Sequence, residues 1–287
     1  MGKLRRNKET GRVTYLSNSG VELPSVTTVI QILSSSESLM GWANSLGFKR
    51  ISIKNEQNRV MNIGTITHNY ISEYLTGEES KYYNPDNYSE HEHQVASTCI
   101  DNFSTWFKTV EKKFNLIFSE KSFVSDKNNY GGTIDLFAEI NEKNVLIDFK
   151  TSNYFSKSYF VQLAAYAFMM EEKGYEVDEV QVIKIAKKDN SVETFVMDRK
   201  DLDAYFDVFK AALTLYNLNK QTEIPYKEAF IANKNKKKQK TSDVKVSAKK
   251  KEVKKEEVIE KPKKKKTTKT EKVEEQPAKK KKTTKSK

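Results

Sequence analysis

The chain holds one cysteine, Cys99, among 287 residues. A disulfide framework is therefore excluded, and a lone thiol fits a reducing compartment. No apolar run approaches the roughly 18 residues that a membrane span needs. The first residues, Met1-Gly2-Lys3-Leu4-Arg5-Arg6, lack the apolar stretch of a secretory signal and are too short of amphipathic helix to read as a transit peptide. Arginine is scarce, 6 against 45 lysines, a bias that suggests an AT-rich genome.

What charge there is lies unevenly. From residue 231 onward there are 24 Lys and 8 acidic residues, a net of +16, whereas residues 1–230 carry −4. The whole-chain +12 belongs to the C-terminal segment. From about Asn233 this segment has almost no aromatic or large apolar residues, cannot bury enough surface to offset its conformational entropy, and is expected to be disordered. Lys263 to Lys269 and Lys279 to Lys285 both read KKKKTTK. Repeated basic blocks suit neutralisation of phosphates without reading of sequence; the alternative is a solubilising tail with no defined partner. Lys261-Pro262-Lys263 and the lysines after it would also pass as a nuclear import signal.

The most informative stretch of the body is Gly132-Thr133-Ile134-Asp135 followed by Ile147-Asp148-Phe149-Lys150. With Asn141-Glu142-Lys143-Asn144 as a polar turn, the two runs read as a hairpin pairing Ile140 with Val145, Phe137 with Asp148 and Asp135 with Lys150. Alternation places Asp135, Phe137, Glu139, Leu146, Asp148 and Lys150 on one face, and an entirely apolar core on the other. Two carboxylates and a lysine gathered on one side of a buried hairpin are costly unless something binds there. The alternative is a surface salt bridge between Asp135 and Lys150 on a solvated face.

Around this hairpin the hydrophobic periodicity predicts helices over Ser25–Leu33, Ser38–Ser52, about Asn62–Tyr74 and about His91–Lys113, with Gly77 stopping the third. Strands are predicted over Ile117–Ser125, Thr133–Ile140 and Val145–Thr151. A helix over Lys157–Lys173, strands over Glu179–Ile185 and Ser191–Met197, and a helix over Arg199–Leu218 complete the pattern. The expected fold is α/β, a mixed central sheet flanked by helices. One folded domain is expected over residues 1–230, helical over about 20–115 with its core over about 116–220, followed by a disordered Lys-rich tail over 231–287.

Gly132-x-x-Asp135, Asp148-x-Lys150 and Gln162-x-x-x-Tyr166, in that order, resemble the PD-(D/E)XK nuclease superfamily in its RecB-type branch. Gly64-Thr65-Ile66-Thr67-His68 matches that branch's Gly-x-x-x-His helix motif. Leu23-Pro24-Ser25-Val26-Thr27-Thr28-Val29-Ile30, followed by Trp42 and Gly47, looks like the start of the mitochondrial genome-maintenance exonucleases and their phage relatives. The resemblance spans roughly residues 13 to 220. It implies a restriction-endonuclease-like αβββαβ core, the element order read above, with a helical N-terminal elaboration.

The resemblance also assigns roles. Asp135 and Asp148 would be carboxylate ligands of Mg²⁺, with the Phe149 carbonyl as a further ligand, since a hard cation at a phosphodiester prefers oxygen donors. Lys150 would orient or activate the attacking water and stabilise charge on the phosphorane. His68, one turn after a Gly64 whose missing side chain allows close backbone approach, would be a metal ligand and favour tolerance of Mn²⁺. Standing alone it would read as a surface or core histidine, and His91 and His93 match no motif. Glu120 matches a position that is often acidic and is an auxiliary metal or water-binding residue. Gln162 and Tyr166, on one helical face, would hold the lysine and the scissile phosphate; an amphipathic rim is the plain alternative. Ser25, Thr27 and Thr28 resemble a phosphate-contacting Ser-Val-Thr-Thr, although an ordinary N-cap would use one of these hydroxyls. Trp42 would either stack on an unpaired base or belong to the core. Relatives that carry an iron–sulfur cluster hold it on four cysteines, which this chain lacks.

The implied activity is Mg²⁺-dependent hydrolysis of DNA from single-stranded ends, in replication, recombination, repair or genome processing, with the lysine tail contacting phosphates and no membrane partner. An endonuclease or structure-specific nuclease on the same fold is the nearest alternative, and a nucleic-acid-binding protein on a retired nuclease fold is another. An intracellular place is expected: the cytoplasm of a bacterial or phage-infected cell, with nucleus or mitochondrion as alternatives.

Overall fold

A computed structural model describes residues 2–9, 11–34 and 36–256. The chain divides into two units, residues 1–222 and 223–287. The first opens on strands β1 (Lys3–Arg6), β2 (Val13–Leu16) and β3 (Glu22–Leu23), joined as an antiparallel sheet. This sheet precedes the expected helical part and was not foreseen. Its strands are two to four residues long, too short to show an alternation, and its signals in the sequence are the turn residues around Gly11 and Gly20.

Four helices follow. They are α1 (Val26–Ile30), continued by a 3₁₀ turn over Gln31–Leu33, then α2 (Ser36–Phe48), α3 (Ile53–Thr76) and α4 (Glu90–Val110). Ser52 caps α3, which starts a full two turns before the expected Asn62 and ends at Gly77. Ser89 and Glu92 form a reciprocal capping box at the start of α4, satisfying two backbone donors that the first turn leaves over. Strands β4 (Phe114–Ser125), β5 (Tyr130–Ile140), β6 (Lys143–Lys150), β7 (Glu179–Ile185) and β8 (Val192–Asp198) then form one sheet in sequence order. Helix α5 (Ser158–Glu171) is the crossover that makes β6 and β7 parallel; the other neighbours are antiparallel. The fold is thus a mixed sheet with helices on both faces, as the sequence predicts. No helix among the described residues is long and apolar enough to cross a membrane.

Two cores sandwich the sheet. On one face Leu136, Ala138, Ile140, Val145, Ile147 and Phe149 pack with Ile63, Ile66 and Ile71 of α3 and Phe103 and Trp106 of α4. Cys99 lies fully buried in this layer, and burial pushes its thiol pKa up. On the other face Phe137 and Leu146 pack with α5, with Leu202, and with Phe206 and Phe209 of helix α6 (Asp203–Glu256). Both faces of the hairpin are therefore covered. Helices on both sides are what a parallel crossover imposes.

The hairpin register differs from the expected one by two residues. Ile140 pairs with Lys143, Ala138 with Val145 and Leu136 with Ile147. The turn is Asn141-Glu142 alone, at φ 52° and 65°, a two-residue turn whose twist matches that of the strands. A slip of two preserves the faces. It removes the expected pairing of Asp135 with Lys150, and continued further it would set Asp135 against Asp148. The ladder stops short of that at Leu136 and Ile147. Alternation also reverses on β5: Leu136 faces the α3–α4 layer, but Ile134 packs in the α5 layer and not with the apolar face expected for it. The reversal falls at Asp135, next to Glu120 of β4, which adopts φ 48°.

Helix α6 also runs past the expected end at Leu218. In the second unit, described over 223–256, the chain is helical, with Lys227 paired to Glu223 and Tyr226 stacked on Phe230 at 6.3 Å. Residues 231–256 were expected to be disordered; they are rich in Lys, a good helix former, and contain neither Gly nor Pro. The remainder of the expected disordered tail, 257–287, lies outside the described residues.

Gly131 and Gly132 fix how the first unit assembles. A Cβ on Gly131 would lie 2.2 Å from the Tyr15 ring, and one on Gly132 would lie 2.4 Å from the Tyr166 ring. Gly131 N–H also donates to the Pro24 carbonyl at 3.0 Å. Gly131→Ala should cost about 1–3 kcal/mol, the usual penalty for forcing atoms into a packed interior. Urea unfolding at constant m-value is the check, and wild-type stability would refute the close packing of Tyr15 on this glycine.

Candidate active site

Three elements converge where β5 and β6 part. Helix α3 supplies His68, β4 supplies Glu120 and β5 supplies Asp135. His68 Nδ1 lies 3.5 Å from Asp135 Oδ2 and 3.6 Å from Glu120 Oε1. One donor atom from each of the three residues lies within 4.8 Å of the other two. Among the described residues no other group of His, Cys, Asp and Glu gathers so closely. The opposite nitrogen, Nε2, donates to the Phe149 carbonyl at 3.1 Å. The Phe149 carbonyl, a metal ligand in the sequence reading, thus has His68 as its partner and fixes which imidazole nitrogen faces the carboxylates. Phe149 N–H donates to Asp135 Oδ2 at 2.9 Å, so the carboxylate takes up a backbone group freed where the ladder stops.

Glu120 is the strained member. Positive φ is uncommon for a residue with a side chain and costs on the order of 1–3 kcal/mol. Here it accompanies the reversal that brings the carboxylates of β4 and β5 to one imidazole. Gly64, by contrast, has room for a methyl group: an added Cβ would meet only Thr151 Oγ1, at 3.6 Å. The close approach expected at Gly64 is absent.

The second half of the site is Asp148, Lys150, Gln162 and Tyr166. Asp148 is 1% exposed. Its Oδ1 accepts from Gln162 Nε2 at 2.9 Å, and its Oδ2 forms a 2.6 Å ion pair with Lys150 Nζ. Lys150 Nζ donates to Gln162 Oε1 at 3.2 Å, and Gln162 Nε2 also donates to the Tyr166 hydroxyl at 3.1 Å. Gln162 therefore holds Lys150 and Asp148 through the two ends of one amide. Asp148 itself stands outside the His68–Glu120–Asp135 group, although the sequence made it a principal metal ligand.

Electrostatics follow from this crowding. Burial would lower the His68 pKa, but Asp135 and Glu120 outweigh it and hold the imidazolium up to about 9. Burial pushes Asp148 up to about 6 while the Lys150 ammonium pulls the other way. Asp135 is raised by burial and by Glu120, against the pull of His68. Burial opposes charge on Lys150 as well, yet Asp148 and Asp135 keep its pKa above the ordinary value. The Tyr166 phenol is raised well above its ordinary value by burial and by the two aspartates, so it is a neutral hydrogen-bonding group.

These residues fit a divalent cation. An imidazole nitrogen and two carboxylates form a donor set suited to Mg²⁺ or Mn²⁺, and one donor atom of each lies within 4.8 Å of the others. His68 Nδ1 bears a proton in the absence of metal, which an ion would displace.

His68 and Asp135 of the first half and all four residues of the second line one cavity of about 270 Å³ together with Tyr15, Ser25, Thr27, Gly132 and Thr133. The sequence reading missed Tyr15 and Thr133. Tyr15 OH bonds Thr133 Oγ1 at 2.9 Å, and Thr133 Oγ1 bonds Ser122 Oγ at 2.7 Å. A larger cleft of about 1100 Å³ shares His68 and Asp135 with that cavity, adds Glu120, and extends along α3. Ser25 caps α1, accepting from Thr28 N–H at 3.0 Å, and its hydroxyl bonds those of Thr27 and Thr28. All three hydroxyls line the cleft, so the cap accounts for Ser25 and the other two extend it. Trp42 lines neither the cavity nor the cleft and is half-buried on α2.

A fold of this topology, with carboxylates and a lysine on its central strands, defines a class of metal-dependent nucleases. The profile of the PD-(D/E)XK nuclease superfamily matches residues 64–282, and the chain belongs to that superfamily. No curated protein sequence matches it. Among solved structures it is similar to a candidate exonuclease from Eubacterium rectale, at 12% identity and a TM-score of 0.39, over 53% of this chain and 64% of that one. It therefore spans just under two thirds of that protein. It is also similar to the protein SSO0001, at 16% identity and a TM-score of 0.28, over 53% of this chain and 71% of that one.

If His68, Glu120 and Asp135 hold an ion, Mn²⁺ at a hundredfold excess over its Kd should stabilise the protein by about 2.7 kcal/mol. Calorimetry with and without Mn²⁺ should show a higher Tm for the wild type, and Asp135→Asn should abolish the rise. An equal rise in both proteins would place the ion elsewhere.

Proposed function

We propose that this nuclease is a Mg²⁺-dependent DNA exonuclease, tolerant of Mn²⁺, that hydrolyses phosphodiester bonds from single-stranded ends during replication, recombination, repair or genome processing. The observation that carries the reading is the cluster of His68, Glu120 and Asp135, whose His68 and Asp135 share one cavity with the Asp148–Lys150–Gln162 network and also line the adjoining cleft with Glu120. Two kinds of chemistry stand side by side there, a cation site and a buried ammonium.

His68, Glu120 and Asp135 would hold the ion, with Asp148 as the neighbouring carboxylate and the Phe149 carbonyl fixing the ring of His68. Bound there, the ion would neutralise phosphate charge and acidify a water. Lys150 supplies a positive charge where the phosphorane gains negative charge, and it orients the attacking water. Gln162 keeps Lys150 pointed into the cavity, and the neutral Tyr166 phenol restrains Gln162 from behind. Ser25, Thr27 and Thr28 contact a phosphate of the entering strand, and Trp42 belongs to the packing of α2. Residues 1–230 act as the catalytic domain. The Lys-rich segment from 231 onward captures DNA, because a body of net −4 attracts a polyanion poorly.

Two measurements test this. Lys150→Ala should lower kcat on end-labelled linear single-stranded DNA by about 10²–10³-fold, the usual range for one electrostatic donor, while leaving the Mn²⁺-induced rise in Tm in place. Cleavage unaffected by the substitution would remove Lys150 from the chemistry. Deleting residues 233–287 should raise KM and flatten its salt dependence by about 0.7 in log–log slope for each phosphate that the tail neutralises in the full chain, with kcat largely intact. An unchanged KM at physiological salt would deny the tail this role.

A further inference from the structure

The cleft above the site is encircled by contacts. On one wall, Tyr15 of β2 ties the N-terminal sheet to Thr133 of β5 at 2.9 Å. On the other, α3 carries His68 and, one turn and a half on, Glu73. Glu73 Oε1 accepts from Ser80 N–H at 3.1 Å, and Ser80 Oγ accepts from Tyr82 N–H at 3.4 Å, so the loop after α3 is anchored to that helix. Tyr82 then reaches the opposite wall. The Arg6 guanidinium stacks over its ring at 5.3 Å and donates to the Gly11 carbonyl at 3.0 Å. Gly11 itself sits at φ 68°, so close to Tyr82 that an added Cβ would lie 2.6 Å from the tyrosine's own Cβ. The floor closes the circuit through Thr133, Asp135 and His68. Arg6, Gly11, Tyr15, Ser80, Tyr82 and Asp135 all line the same cleft.

We infer that the packing of Tyr82 on Arg6 and Gly11 is a clasp that shuts the cleft into an aperture, so that a polynucleotide reaches the site only by threading a free single-stranded end. This rests on the exonuclease reading above and names the feature that makes the site end-dependent. The clasp is non-covalent and small: one ring, one guanidinium and one glycine. Breaking it would leave the catalytic residues in place and admit a strand from the side.

The test uses the full chain in three forms. Arg6→Cys with Tyr82→Cys, joined by a short bismaleimide, locks the clasp; Cys99 is fully buried and does not compete. Tyr82→Ala with Arg6→Ala opens it. Each form is given linear and circular single-stranded DNA of one sequence with Mn²⁺, and each is scored for the Mn²⁺-induced rise in Tm. The expected result is that the locked protein digests linear DNA and spares circles, as the wild type does, and that the opened variant cuts circles at least tenfold faster than the wild type. Circle cutting by the wild type or the locked protein would overturn the clasp while leaving the nuclease reading intact. Loss of linear digestion on locking, with the rise in Tm retained, would also overturn it, since the strand would then have to enter by opening the wall. An opened variant that still spares circles would assign end selection elsewhere. No cutting of either DNA by any form, the wild type included, would refute the nuclease reading and the clasp with it.

Discussion

Two adjacent residues without side chains carry the architecture. Gly131 receives the ring of Tyr15 from the N-terminal sheet, and Gly132 receives the ring of Tyr166 from α5. Neighbouring residues on a strand face opposite ways, so one dipeptide docks two different elements on two sides of β5. Asp135 follows three residues later, with its distance from both elements already fixed. The N-terminal wall of the cleft, the amide network on α5 and the carboxylate on β5 are therefore held in one frame that no flexible side chain adjusts.

Within that frame the problem is charge. Asp135, Asp148 and Glu120 crowd a partly buried space, and isolated buried carboxylates are costly. The structure divides them. His68 stands between Asp135 and Glu120, and Lys150 pairs with Asp148. The β5–β6 ladder stops before it would press the two aspartates together, and the freed Phe149 N–H is given to Asp135. Each negative group thus has its own positive or N–H partner, and the two halves differ in what they can exchange. The imidazolium would release its proton to solvent if a cation took its nitrogen, whereas the ammonium, with its raised pKa, keeps its charge.

Much of this was legible in the sequence. The order and kind of the elements from α1 to β8 followed from periodicity, and the strand Glu179–Ile185 agrees at both ends. The motif residues His68, Glu120, Asp135, Asp148, Lys150, Gln162 and Tyr166 do share one cavity or its rim. What the sequence hid were features with no periodic signature. A turn of two residues rather than four depends on Glu142 accepting positive φ, which composition argues against. The reversal of facing at Asp135 coincides with the positive φ of Glu120, on another strand. Division of labour between Asp135 and Asp148 depends on which of them Lys150 reaches first. The N-terminal sheet has strands too short to alternate, so Tyr15 and Tyr82 could not be seen as site neighbours.

Cys99 began as an absence, the single thiol that ruled out disulfides and a cysteine-held cluster. Its place in the α3–α4 layer gives it a second meaning. With no exposed surface and a thiol that burial keeps protonated, it is chemically silent toward reagents that attack thiolates. The native chain is thus already a blank background for thiol labelling. Pairs of spin or fluorescent probes placed on exposed residues would report distances across the cleft without a cysteine-free variant having to be made first.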